Sequence, residues 1–376
     1  MDQSEFGSRS DDVTVLMLRA DDSAQMRHAL SLAERGWGQT APNPMVGAVV
    51  VQGGKIVGEG FHVRYGADHA EVDALNAAGD RARGATLYVN LEPCNHHGQT
   101  PPCTESIIRA GIRRVVVALP DPNPLASGGI AMLRSAGLDV VVGIEMNRAI
   151  ELNAPFLNRF AARRPWVTLK LAMTVDGAIA DFDGGSNWIT GEESRAEVHR
   201  MRAGSDAVAV GMRTLISDNP RLSARTAPLP RRQPARIIFG RGKAMPSHSH
   251  IMQTAHEVPT YLVTYEEDAA TLQTLRRAGV EVIEAADLRE SLAQIRERGI
   301  DSLLVEGGAG LAAEFIERGF VDRLVIFQAP MLLGSGSLTA FSGLNTRRLV
   351  NAMRLEVMKR QTFGPDQMTV YAFPAP

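Results

Sequence analysis

From about residue 22 onward, short β-rich runs alternate with helical patterns, and that rhythm admits few architectures. "MVGAVVV" (45–51) reads as a buried strand, and "HAEVDALNAAG" (69–79) as a helix ended by Gly79. "ATLYVNLEPC" (85–94) is a strand running into a loop. "TESIIRAGI" (104–112) is a short helix capped by Thr104, with Glu105 in its first turn. The strand "RVVVAL" (114–119), the helical "SGGIAMLRSAG" (127–137) and the strand "LDVVVG" (138–143) continue the series. A βαβαβ order of this kind implies a mostly parallel sheet with helices on its faces, an α/β fold.

The pattern then restarts. A helix over "EMNRAIELNAPFLNRFAA" (145–162) leads into "RRP", and the alternating strand "WVTLKLAMT" (166–174) follows. "DAVAVG", "ARIIFG", "TYLVTY", "VEVIEA" and "DSLLVEGG" supply further strands, interspersed with helices over 193–204, 288–299 and 311–319. The strand "VDRLVIFQAP" (321–330) is long enough to pair across a dimer interface, and "RTAPLPRRQP" (225–234) reads as an exposed loop. A chain of 376 residues favours two domains. Their expected bounds are 22–162 and 163–376, after a disordered lead-in over 1–21.

Charge and composition narrow the partners. The formal net charge is −2, so no global basic field points to nucleic acid. No apolar run approaches the roughly 20 residues that cross a bilayer. The opening "MDQSEFGSRSDD" lacks the basic and apolar regions of a secretory signal. Two cysteines make no disulfide framework, and the cytoplasm is the expected compartment. Neither nucleic acid nor a membrane is an expected partner.

Both cysteines and two of the nine histidines fall within "EPCNHHGQTPPC" (92–103), and "HAE" places His69 and Glu71 upstream. A nitrogen of His69 and the thiolates of Cys94 and Cys103 make a three-ligand tetrahedral site for Zn²⁺. One position is left for water, which separates catalytic from structural zinc. Glu71, at the start of the same helix as His69, is better placed to shuttle protons than to ligate. Cys103 immediately precedes a predicted helix, whose dipole favours thiolate. The set matches the H-x-E…P-C-x-x-C signature of zinc deaminases, except that eight residues rather than two separate the cysteines. His96 and His97 lie in that insertion and compete as ligands in principle, but read better as loop or substrate-contacting residues. Taken singly, the cysteines would be buried thiols and His69 a helix-cap histidine; together with Glu71 and Pro93 they point to zinc.

"APNPMVGAVVV", "GEGFHVRYGADHAE", "NLEPCNHHGQTPPC" and "PDPNP" resemble the bifunctional riboflavin-biosynthesis deaminase/reductase family of bacteria, from about residue 22 to the C-terminus. The eight-residue cysteine spacing is also that family's. The resemblance implies an N-terminal cytidine-deaminase-like three-layer domain and a C-terminal dihydrofolate-reductase-like α/β domain. It implies zinc on His69, Cys94 and Cys103, with Glu71 as proton donor. The reaction implied is hydrolytic deamination of 2,5-diamino-6-(5-phosphoribosylamino)pyrimidin-4-one, a small-molecule phosphoribosyl pyrimidine. NADPH reduction of the ribosyl group to a ribityl chain follows. A homo-oligomer is expected. Asn43, in "PNP", either hydrogen-bonds the pyrimidine, positions a loop or forms a plain Asx turn.

In the second half, "VEGGAG" (305–310) is a glycine turn between strand and helix that lets a phosphate approach backbone N–H groups, or else a tight connection without a ligand. The resemblance places Ala172, Trp188, Thr214 and Asp218 at the NADPH cofactor, with the stretch Gly308, Ala309, Gly310, Leu311, Ala312, Ala313 and Glu314. It places Ser186, Arg202, Leu222, Arg225 and Glu306 at the substrate. Arg202 and Arg225 suit the substrate phosphate through bidentate charge-assisted bonds, unless they are ordinary solvated arginines. Lys170 and Asp176, flanking the first strand, are further candidates for orienting substrate. The family often shows an Asp-Ser pair after "RIIF", where this chain has Gly240-Arg241. Arg241 is a substitute positive charge for the cofactor's 2′-phosphate.

Two other readings compete. A nucleic-acid or nucleoside base deaminase with an accessory domain would want a basic groove and aromatics to hold a flipped base, yet aromatics are 5% of the chain. A structural zinc in a binding protein needs a fourth protein ligand, for which His96 and His97 are the nearby candidates.

Overall fold

A computed structural model describes residues 21–97, 101–184 and 189–373. Ser186, Trp188 and nearly all of the expected lead-in lie outside the described residues. Two compact units divide between Phe160 and Ala161.

The first unit holds one sheet of five strands: β1 (Gly47–Gln52), β2 (Lys55–Phe61), β3 (Thr86–Val89), β4 (Arg114–Val117) and β5 (Asp139–Val142). Their spatial order is β2-β1-β3-β4-β5. Its helices are α1 (21–34), α2 (Ala70–Ala78), α3 (Cys103–Arg109), α4 (Gly129–Ser135), α5 (Met146–Leu152) and α6 (Ala154–Ala161). Alternate residues of the strands feed two cores. Ala48, Val50, Leu87 and Val115 pack with α2, α3 and α4, while Val49, Tyr88 and Val116 pack with α1 and α5. Burial on both faces is why these strands read as unbroken apolar runs.

The sheet is not mostly parallel, as the βαβαβ rhythm had implied. β1 runs antiparallel to both β2 and β3, and only β3, β4 and β5 are mutually parallel. The missed strand, β2, carries glycine where an apolar side chain would mark it. A Cβ at Gly58 would lie 2.2 Å from the Ala74 carbonyl oxygen, and one at Gly60 2.4 Å from that of Ala70. The two glycines let α2 lie directly on β2, and His69 is the N-cap of α2.

Two helix expectations also shift. The long helix over 145–162 breaks at Asn153, whose side chain accepts from the Met45 N–H and donates to the Met45 carbonyl, each at 2.9 Å. Thr104 is not the cap of α3: the helix opens at Cys103 behind Pro102, and the buried Thr104 hydroxyl donates to Asn95 Oδ1 at 3.0 Å. Cys103 is therefore the first residue of the helix rather than the one before it.

Among the described residues, the second unit is built on a sheet of nine strands. They are β6 (Trp166–Thr174), β8 (Ala207–Gly211), β9 (Ala235–Phe239), β10 (Thr260–Thr264), β11 (Val280–Glu284), β12 (Ser302–Val305), β13 (Arg323–Ala329), β15 (Glu356–Phe363) and β16 (Asp366–Ala372). A separate pair joins β7 (Ala178–Ala180) to β14 (Leu338–Thr339). The helices are α7 (Glu192–Ala203), α8 (Met212–Asp218), α9 (His250–Gln253), α10 (Ala269–Arg277), α11 (Leu288–Glu297) and α12 (Ala309–Glu317). The sheet order is β11-β10-β9-β8-β12-β6-β13-β16-β15, parallel from β11 to β13 and antiparallel beyond. The strand proposed for a dimer interface, β13, is interior instead, paired with β6 on one side and β16 on the other. Among the described residues the sheet ends at β11 on one side and at β15 on the other, and β15 is nearly all exposed. Among the described residues no helix is long and apolar enough to cross a membrane.

Candidate active sites

The first site forms where α2, α3 and the loop after β3 converge. His69 caps α2 with its backbone, accepting from the Val72 and Asp73 N–H groups at 3.0 and 3.2 Å, and its side chain makes no cap bond. That leaves the imidazole for the cysteines: Nδ1 lies 3.2 Å from Cys103 Sγ and 3.5 Å from Cys94 Sγ. The Cys103 N–H donates to Cys94 Sγ at 3.3 Å, and the Thr104 N–H to the Cys94 carbonyl at 3.3 Å. The three ligand atoms all lie within 4.8 Å of one another.

Electrostatics fit a cation. The hydrogen bond from the Cys103 thiol, aided by His69 and the Cys103 N–H, lowers Cys94 to about 4 despite burial. Cys103 is pushed up by holding the proton against Cys94 and by burial. The shifts oppose each other because two sulfurs share one proton; the lowering of Cys94 is the direction with physical weight. The Cys94 contact also raises His69 to about 9. A divalent metal favours thiolate on both sulfurs and a neutral imidazole, and one nitrogen with two sulfurs is a zinc donor set.

Glu71, in the first turn of α2, is 4% exposed. Burial raises its carboxyl to about 7, and it also hydrogen-bonds Cys103. It stands against the ligand trio without belonging to it. His96 and His97 are exposed, and His97 Nε2 pairs with Glu105 at 3.2 Å. Among the described residues no fourth His, Cys, Asp or Glu joins the cluster.

Sequence reasoning missed His62, which is 3% exposed. It donates through Nδ1 to the Asp68 carbonyl at 3.0 Å, so Nε2 accepts from the Asn43 amide at 3.2 Å. Burial keeps His62 below its ordinary value and hence neutral. Asn90 was missed too: it brackets the strand entry, accepting from the Gly47 N–H at 2.8 Å and donating to the Met45 carbonyl at 3.0 Å. Its signal was weak, a lone polar residue after an apolar strand.

The second site is a cavity of about 1140 Å³ at the carboxyl ends of β8, β9, β10 and β12. In the sheet order, β12 is inserted between β8 and β6, the switch point where open α/β sheets bind ligands. Ala172, Arg202, Thr214, Asp218, Leu222, Glu306, Gly308, Ala309, Gly310, Leu311 and Glu314 all line it, from four elements and the loops beside them. Ala312 is fully buried in the core and Ala313 is 5% exposed; neither lines the cavity. Arg225 is also outside the lining. Its guanidinium donates to His199 Nε2 at 3.1 and 2.9 Å.

Charge in this cavity is organised by Glu306. Arg202 Nε and Nη2 donate to its two oxygens at 2.6 and 2.8 Å, and Arg202 Nη1 donates to the Ser223 carbonyl at 3.2 Å. Burial works to raise Glu306, but Arg202 and Lys170 outweigh it and hold the carboxyl below its ordinary value. Burial lowers Lys170, against the pull of Glu306. Lys170 lies within β6 and faces the cavity, while Asp176 accepts from Thr174 and the Gly334 N–H in the turn beyond.

Comparison with known proteins accounts for both sites. Residues 165–369 match the family model described as the RibD C-terminal domain. Residues 19–119 match the cytidine and deoxycytidylate deaminase zinc-binding region. The riboflavin biosynthesis protein RibD of Aquifex aeolicus is 44% identical over 93% of this chain and 98% of its own length. That of Escherichia coli K12 is 39% identical over 92% and 97%. The structure of Acinetobacter baumannii RibD superposes with a TM-score of 0.83 at 35% identity, covering 95% of this chain and all of that one. A Thermotoga maritima diaminohydroxyphosphoribosylaminopyrimidine deaminase/5-amino-6-(5-phosphoribosylamino)uracil reductase gives 0.83 at 35% identity, over 95% and 99%. With a nitrogen-and-sulfur cluster in one unit and a switch-point cavity in the other, the chain belongs to the RibD family, bifunctional riboflavin-biosynthesis enzymes that join a zinc deaminase to an NADPH reductase.

Proposed function

We propose that this chain deaminates 2,5-diamino-6-(5-phosphoribosylamino)pyrimidin-4-one in a domain over 22–162. A domain over 163–376 then reduces the ribosyl group to a ribityl chain. The observation that carries this reading is the trio of His69, Cys94 and Cys103, with a buried carboxyl, Glu71, beside it. His69 Nδ1 and the two sulfurs would hold the metal. When bound, zinc supplies a Lewis acid that brings a water's pKa from 15.7 to about 7, and NADPH supplies the hydride.

The work left to the chain is proton handling and orientation. In the deamination, the water oxygen bonds to the ring carbon bearing the exocyclic amine, the C–N bond breaks and ammonia leaves. Glu71, whose pKa burial raises to about 7, carries two protons in turn: the water's first proton goes to the ring nitrogen, and the remaining hydroxyl proton goes to the departing amine, which leaves as ammonia. Neutral His62 takes the Nδ2 end of the Asn43 amide, leaving its oxygen to face the pyrimidine. In the reduction, Glu306 and Lys170 orient the open-chain sugar. Arg202 is committed to Glu306, so the phosphate falls chiefly to Arg225, held at the surface by His199. The two free, buried cysteines suit a reducing compartment, the cytoplasm. The homo-oligomer belongs to this reading as well, with the exposed edge of β15 as the place for a second copy to pair.

The test is incubation of purified, zinc-loaded protein with the phosphoribosyl diaminopyrimidinone, with and without NADPH. Ammonia release is expected in both cases, and nicotinamide oxidation only after deamination. Absence of ammonia with zinc bound would end this reading.

Arg241 follows β9, is exposed and, like Arg213, lines the cavity, which supports it as the cation for the cofactor's 2′-phosphate. Arg241→Ala is expected to weaken NADPH binding about fivefold, roughly 1 kcal/mol for an exposed charge pair, and to leave NADH binding unchanged. Fluorescence titration of both nucleotides checks this, and equal losses for the two would rule out phosphate recognition.

A further inference from the structure

The loop that carries Cys94 is clamped at its base by a buried carboxylate that the deamination does not use. Glu92 is 7% exposed. Its Oε1 accepts from the backbone N–H groups of Gly128 at 3.1 Å and Ile130 at 2.8 Å, and its Oε2 from that of Asp121 at 3.0 Å. Its own N–H donates to the Leu119 carbonyl at 2.8 Å. Every one of these bonds runs to the segment from residue 119 to residue 130, which contains the "PDPNP" motif left without a role above. Asp121 Oδ1 accepts from the Asn123 N–H at 2.8 Å, and this Asx turn shapes the segment where Asp121 meets Glu92.

The same two segments touch twice more. The Asn95 N–H donates to the Ala126 carbonyl at 3.1 Å. A Cβ at Gly129 would lie 1.9 Å from the Pro93 carbonyl oxygen, so the peptide leading into Cys94 rests directly on the start of α4. The three ligands are not held alike. His69 caps α2 and Cys103 opens α3, whereas Cys94 stands on a loop. Its place depends on what fixes residues 92–95, and the strongest fixture there is a carboxylate with three charge-assisted hydrogen bonds.

We propose that Glu92 is a positioning residue of the metal centre: its clamp on the 119–130 segment sets where Cys94 Sγ stands relative to His69 and Cys103. The proposal rests on zinc being held by those three residues. Removing the carboxylate leaves three N–H groups competing for water and frees the loop, and outer partners of metal ligands typically carry 10- to 100-fold in affinity.

The test uses the zinc-loaded full chain and the variants Glu92→Gln and Glu92→Ala. Zinc transfer to a colorimetric chelator is followed, and after exchange to Co²⁺ the sulfur-to-cobalt charge-transfer absorption is recorded. Glu92→Ala is expected to bind zinc about 10- to 100-fold more weakly, with a diminished cobalt–sulfur band. Glu92→Gln keeps one oxygen for Gly128 and Ile130 but turns an NH₂ toward the Asp121 N–H, so its loss is expected to be intermediate. Glu92→Gln decides the matter even if the alanine variant does not fold. Wild-type zinc affinity and an unaltered cobalt spectrum in Glu92→Gln overturn the proposal, whatever the melting temperature. Wild-type protein that binds zinc but releases no ammonia counts against the assigned reaction instead, and leaves the role of Glu92 standing.

Discussion

Glu71→Gln is expected to abolish ammonia release while zinc content and fold stay as they are. The amide fills the same buried volume, so the packing of the first turn of α2 is kept. What it lacks is a group that can take protons from water and give them to the ring nitrogen and the departing amine. Positioned proton transfer contributes about 10²- to 10⁴-fold, and here one group serves several transfers, so a loss at the upper end is expected. Ammonia release, metal content by elemental analysis and far-UV circular dichroism give the three readouts. A variant that keeps zinc and more than a tenth of the wild-type rate would remove Glu71 from the proton transfers.

Glu306→Ala strikes the other unit. It leaves Arg202 and Lys170 at the cavity wall with no anion between them, and removing the acceptor of a half-buried, charge-assisted pair costs about 1.5–3 kcal/mol. NADPH oxidation is expected to disappear and the melting transition of the second unit to fall, with ammonia release unchanged. Glu306→Gln, which keeps one acceptor oxygen for Arg202, should restore part of the stability. The same pair predicts an acid limb. The folded-state pKa of Glu306 is lowered, so its stabilising contribution is complete above the ordinary carboxylate value of 4.5 and lost as pH falls through the lower folded value. Unchanged melting and unchanged NADPH oxidation in the alanine variant would remove Glu306 from the reductase machinery.

The legible part of the chemistry was local. His69, Cys94 and Cys103 announced themselves because few residue types bind zinc, and because His69 and Cys103 each stand at a helix start that period and turn signals mark. The strands that became β1, β3 and β4 were readable because burial on both faces makes them apolar throughout. β2 was missed for the converse reason: Gly58 and Gly60 are there for the closeness of α2, and a glycine carries no hydrophobic signal. The helix broken at Asn153 could not be divided in advance, since the break is held by Met45, 108 residues away.

Arg202 shows the same limit in the second unit. Its residue type suited a phosphate, but its charge is taken by Glu306, 104 residues along the chain. The strand β13 looked free to pair with another copy, and the tertiary structure instead gave it two neighbours. By itself the sequence determined which side chains are able to ligate, titrate or bury, because those are properties of a residue and its nearest neighbours. The folded chain alone decided which charge meets which partner and how firmly Cys94 is held, because ion pairs and hydrogen bonds depend on separation in space, and topology sets that separation.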